Sequence, residues 1–118
     1  MENISETILN LLDQWEAGTI NELEVLNESE KLYLQHYQGN EFPKSDYKSI
    51  PIEVLSHLEI LHHQWIIKDD IPIIRTFLNT SDGNELEAWK NWEKYWNAID
   101  LDNRKEQIKN IELYTAKG

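Results

Sequence analysis

Asn3-Ile4-Ser5-Glu6-Thr7-Ile8-Leu9-Asn10-Leu11-Leu12-Asp13-Gln14-Trp15-Glu16-Ala17-Gly18 is the stretch that decides the fold class. Ile4, Ile8, Leu11, Leu12 and Trp15 recur at intervals of three and four residues, which puts them on one face of an α-helix; a strand would need alternation. Asn3 and Glu6 stand at capping-box spacing at the start. Gly18 supplies the stop, because a helix end favours a left-handed residue and glycine adopts that conformation without steric cost. Thr19 and Glu22 repeat the capping spacing at once, so the segment reads as a tight helical hairpin. The second helix runs to about Tyr37 along Val25, Leu26, Leu32, Tyr33 and Tyr37, and the small Ser29 in that stripe lets another helix come close.

Outward from the hairpin the same periodicity continues with interruptions. Residues 38–50, with Gly39, Asn40, Pro43, Ser45, Asp46 and Ser49, form a long loop. A third helix starts near Pro51, whose missing N–H has no intrahelical partner in a first turn. It carries Ile52, Leu55, Leu58, Leu61 and Trp65. Asp69 or Asp70 caps a fourth, with Pro72 in its first turn and Ile71, Ile74, Phe77 and Leu78 on its buried face. After the break at 79–84, Asn84 and Glu87 cap a fifth helix bearing Leu86, Trp89, Trp92, Tyr95, Trp96 and Ile99. These six cover about half the helix circumference, more than the roughly 100° that core packing needs, so one edge of the stripe should be exposed. Asp100, Asp102 or Asn103 opens a last helix with only Ile108 and Ile111 to bury, making residues 101–118 a weaker helix or tail. The strand-like run Trp65 to Lys68 is too short to compete. The expected fold is all-α: a single compact domain over residues 1–118, a bundle of about five to six helices built from antiparallel helical hairpins.

Charge narrows the function classes. Eleven Lys and Arg stand against 22 Asp and Glu, a formal net charge of −11. Residues 1–30 hold eight of the acids and no base. Nucleic acid and anionic membrane bind through cationic patches, so both are disfavoured as partners, whereas a basic protein is favoured. The apolar fraction of 40%, spread along the chain, is enough to build a core. Cysteine is absent, so thiolate metal sites and disulfides are excluded. Met1 to Asn10 carries two Glu and no base, the reverse of a signal-peptide start, and no apolar run nears the roughly 20 residues of a membrane span; the expectation is a cytoplasmic protein.

Chemistry-bearing patterns are sparse. His57, His62 and His63 lie close together, and Glu59 with His62 forms a Glu-x-x-His pair, a spacing found in carboxylate-bridged metal centres. Such a centre needs a second copy of the motif and two further Glu, which the chain lacks, so no metal and no cofactor are expected. No Ser stands in a Gly-x-Ser-x-Gly turn, and the scattered glycines Gly18, Gly39, Gly83 and Gly118 form no phosphate-cradling loop. No catalytic residue is assigned. Asp69 and Asp70 read as helix caps. Lys44, Lys48, Arg104, Lys105 and Lys109 read as solvated charges. What remains suits binding: Glu16, Glu22, Glu24 and Glu28 as an acidic face that steers a basic partner, and Trp89, Trp92 and Tyr95 as interface anchors.

In general character the hairpin Leu11-Leu12-Asp13-Gln14-Trp15-Glu16-Ala17-Gly18 and the stretch Ile50 to Leu78 resemble the small acidic helical immunity proteins that bacteria encode beside their secreted or contact-delivered toxins. The resemblance is one of type, and no binding residue transfers by position. It implies a non-catalytic module that blocks a cationic toxin by occluding its nucleic-acid-binding surface. Two other functions fit the same sequence: a homodimer joined through the aromatic flank of the fifth helix, and a metal-binding protein built on Glu59, His62 and His63.

Overall fold

A computed structural model describes residues 4–36 and 42–115, the side chains of Glu112 and Thr115 excepted. The expected Asn3 cap, the end of the second helix at Tyr37, positions 38–41 of the long loop and positions 116–118 of the tail lie outside the described residues. Within them the chain is all-helical with no strand: α1 Ile4–Glu16, α2 Glu22–His36, α3 Ser49–Leu58, α4 Leu61–Gln64, a 3₁₀ turn Lys68–Asp70, α5 Ile71–Leu78, α6 Glu85–Asn97, α7 Leu101–Ile108 and α8 Glu112–Thr115. The radius of gyration is 14.1 Å, close to the ~13.5 Å that a compact chain of this length should show.

The hairpin forms, and its second cap differs from the expected one. Gly18 takes φ +81° after α1, and the N–H groups of Thr19 and Ile20 both bond to the Gln14 carbonyl. Thr19 therefore still belongs to the end of α1 and cannot start α2. Asn21 does so instead: its Oδ1 accepts the Glu24 N–H at 2.9 Å, and its own N–H donates to Glu24 Oε1 at 3.1 Å. This is a capping box two residues later than Thr19 and Glu22.

Ile8, Leu12, Trp15, Val25, Ile50, Val54, Leu55, Leu58, Leu61, Ile71, Ile74, Phe77, Leu78 and Trp92 are buried in one connected core that also takes in Ile108 and Tyr114. Ser29 is fully buried, and α2 packs mainly on α3, an approach that so small a side chain permits. The third expected helix is split. Its backbone breaks at Ile60 (φ −127°) and ends at Trp65, which sits in the left-handed region at φ 55°. Asp100 caps α7 by accepting the Asn103 N–H, whereas Asn84 makes no side-chain cap on α6. The described part of the loop is tied down by Tyr47. Its hydroxyl donates to the Leu78 carbonyl at 2.6 Å and accepts from Ser5 Oγ at 3.1 Å.

The carboxyl-terminal part is docked more firmly than its two isoleucines suggest. Asp70 is fully buried, and its carboxylate accepts four hydrogen bonds. Arg104 gives two, Nη1 to Oδ2 at 2.8 Å and Nη2 to Oδ1 at 2.9 Å. The Tyr95 hydroxyl adds one at 2.6 Å and the Ile67 N–H one at 2.9 Å. Arg104 Nη1 also donates to the Trp65 carbonyl at 2.6 Å, which uses the backbone group that the left-handed residue turns inward. Tyr114 adds a hydrogen bond from its hydroxyl to the Ile66 carbonyl. Arg104 is thus a buried clasp and not the solvated charge expected, and Asp70 is the clasp's other half, with no side-chain cap on α5.

Candidate functional site

The four acidic candidates are not equivalent. Glu16 Oε1 accepts from Arg75 Nη2 at 2.7 Å, and Asp13 Oδ1 accepts from the same atom at 2.7 Å. One base from α5 thereby bridges two acids a turn apart on α1. Glu22 accepts the Trp15 indole N–H at 2.9 Å, tying α2 back to α1. Glu16 thus fastens α1 to α5, and Glu22 fastens the two helices of the hairpin. Glu24 and Glu28 stand one turn apart on α2, and together they border a cleft of about 570 Å³ between α1 and α2. Leu11, Ile20 and Leu32 supply the apolar part of that cleft, with Asn10, Gln14 and Asn27 beside the two acids. Glu28 is half-exposed and pairs with the more exposed Lys31 at 3.3 Å.

The aromatic candidates sit deeper. Trp92 is 1% exposed and Trp89 8%, so neither can anchor a partner on an open surface, and the exposed edge of the α6 stripe is Leu86, at 63%. The Trp89 indole donates to Ser49 Oγ at 2.9 Å. Tyr95 is half-buried and spends its hydroxyl on Asp70. Burial, and then the Asp70 hydrogen bond and charge, push its pKa up to about 12.

A second cluster joins α3 to α6. Glu53 Oε2 accepts from His57 Nε2 at 2.9 Å and from Trp92 Nε1 at 3.0 Å. Burial works to raise the Glu53 pKa, but the His57 hydrogen bond and charge and the Trp92 hydrogen bond outweigh it, leaving the carboxyl below its ordinary value. The His57 ring lies parallel to Trp96, centroids 6.0 Å apart, and meets the edge of Trp92 at 5.6 Å. Nearby, Lys44 Nζ reaches Glu93 Oε2 at 2.7 Å and sits 5.0 Å from the Trp89 ring centroid. Sequence reasoning passed over this cluster, although Glu53 and His57 at i, i+4 on one helix face were a visible pairing signal.

The histidines weighed for a metal gather no site. The His62 and His63 rings lie 3.9 Å apart, centroid to centroid, tilted by 36°, and among the described residues no three His, Asp or Glu side chains converge as a ligand set. Burial lowers the His62 pKa, with the neighbouring His63 charge adding to it, while burial and then the charge of Glu30 raise that of Glu59. Among the described residues no helix is long and apolar enough to cross a membrane. No known protein family, curated protein or solved structure matches the chain.

Proposed function

We propose that this chain is a non-catalytic protein-binding module whose α1–α2 hairpin docks a basic partner, in the manner of an immunity protein that covers a cationic surface on a toxin. The observation that carries the reading is the cleft bordered by Glu24 and Glu28 over Leu11, Ile20 and Leu32, together with a first thirty residues that hold eight acids and no base. Apolar contact there would supply affinity, and the acids would steer and orient a cationic protein. The mechanism is occlusion, which needs no reacting group.

Capture from a lysate of the source organism tests it with two charge-matched variants. Glu24→Gln/Glu28→Gln keeps the capping box, because Gln serves at that position as Glu does, and removes two charges from the cleft. Glu87→Gln/Glu106→Gln removes two exposed charges from α6 and α7. The expected outcome is a basic protein that the wild type and the α6–α7 variant retain at low salt and the hairpin variant loses. Equal retention by both variants, or a partner that is not basic, would refute the reading.

A further inference from the structure

Where α3 meets α6, a cleft of about 450 Å³ is lined by Glu53, His57, Trp92, Glu93, Trp96 and Asn97. It offers the half-buried Trp96 indole and acceptor oxygens in one place, with the buried Trp92 behind them. Both hydrogen bonds to the Glu53 carboxylate end on Oε2, so Oε1 accepts none among the described residues, and the side chain is 24% exposed. Glu93 is half-exposed at the rim. The walls are fixed: the Trp96 ring is held between His57, Trp92 and Tyr95. The chain already holds one cation by this chemistry, since Lys44 places its ammonium on Glu93 and over the Trp89 indole.

We propose that this cleft binds a guanidinium group, the ligand class being an arginine side chain of another protein or peptide. Guanidinium is planar, weakly hydrated and rich in donors, so it can lie against indole while giving N–H groups to Glu53 Oε1, Glu93 and the Asn97 amide oxygen. Glu53, His57 and Glu93 do not converge as a metal-ligand set among the described residues, so the cleft suits a metal ion poorly. The site is distinct from the α1–α2 cleft and stands whether or not that cleft docks a basic partner.

The test follows the tryptophan indole N–H resonances of the full chain while N-acetyl-arginine methylamide is titrated in, with N-acetyl-citrulline methylamide as the neutral isostere. The expected result is a saturable shift at Trp92 and Trp96 with a Kd of about 1 mM, and no shift from citrulline at the same concentrations. Glu93→Gln, an exposed change, weakens binding ~fivefold. Lys44→Met tightens it about threefold, because Glu93 is no longer neutralised. Glu24→Gln/Glu28→Gln leaves it unaltered, which separates this site from the hairpin. Non-saturating arginine shifts, equal shifts from citrulline, or weaker binding in Lys44→Met would overturn the proposal.

Discussion

Replacing Arg104 with methionine should cost far more than its place in a thinly apolar helix suggests. The substitution keeps most of the volume and removes the guanidinium, so among the described residues the fully buried Asp70 carboxylate keeps only the Tyr95 hydroxyl and the Ile67 N–H as donors. The Trp65 carbonyl loses its 2.6 Å partner as well. Breaking one side of a buried ion pair costs about 3–5 kcal/mol, and an orphaned carbonyl adds roughly 1 kcal/mol. With an unfolding entropy near 2.1 cal/mol/K per residue, about 0.25 kcal/mol/K for 118 residues, a loss of about 4–6 kcal/mol lowers Tm by about 16–24 °C. Domains of this size are stable by only about 5–15 kcal/mol. Urea denaturation by circular dichroism measures the loss, with the exposed Lys105→Met as a control expected to change stability by less than ~0.5 kcal/mol. Asp70→Asn/Arg104→Met should recover at least ~2 kcal/mol relative to the sum of the single changes, because the stranded charge is gone. A cost under ~1 kcal/mol for Arg104→Met, or strict additivity in the double variant, would show that the clasp does not hold the carboxyl-terminal helices.

Three further outcomes follow from individual side chains. Ser29 Oγ is buried without a partner among the described residues, so Ser29→Ala should be neutral or stabilising by up to ~1 kcal/mol, whereas Ser29→Leu should destabilise by about 1–3 kcal/mol by forcing α2 off α3; thermal melts should place Ser29→Ala at or above the wild type and Ser29→Leu below it, and a Ser29→Leu melt at the wild-type temperature would refute the close approach. Glu59 has a raised folded pKa, from burial and then Glu30, so its contribution is intact below the unfolded pKa near 4.5 and is lost as pH rises through the folded value. Glu59→Gln should therefore raise Tm at pH 7 and lose that advantage toward pH 4; a gain that does not vary with pH would contradict the cause. Tyr95 ionises near 10 when unfolded and at about 12 when folded, and Tyr114 is raised too, by burial and then by the charges of Glu22 and Asp70. Stability should hold up to pH 10 and fall between 10 and 12, and Tyr95→Phe should flatten that fall in an alkaline denaturation series.

What the sequence revealed and what it hid divide along the range of the interactions. α1 and α5 were legible because Ile8, Leu11, Leu12 and Trp15, and then Ile71, Ile74, Phe77 and Leu78, declare one face within a dozen residues, and all are buried. Thr19 and Asn21 both fitted a capping box. Only the turn in which Thr19 and Ile20 share the Gln14 carbonyl decides between them. The spacing of Leu58, Leu61 and Trp65 continues across the break at Ile60, so periodicity alone could not see the split. Asp70 and Arg104 are 34 residues apart, and no local pattern couples an acid after an isoleucine pair to a base in a polar helix. The acidic face was legible as composition. Which of its members face a cleft was not, because Arg75 and Trp15, from other parts of the chain, engage Glu16 and Glu22 and leave Glu24 and Glu28 at the opening.

Hydrogen–deuterium exchange on the complex of this chain with its captured basic partner tests the central proposal most directly. Slowed exchange should concentrate in peptides covering residues 7–14 and 20–32, the two walls of the hairpin cleft, and should vanish when Glu24 and Glu28 are neutralised. Protection confined to α7 and α8, with the hairpin exchanging as it does in the free chain, would contradict the account.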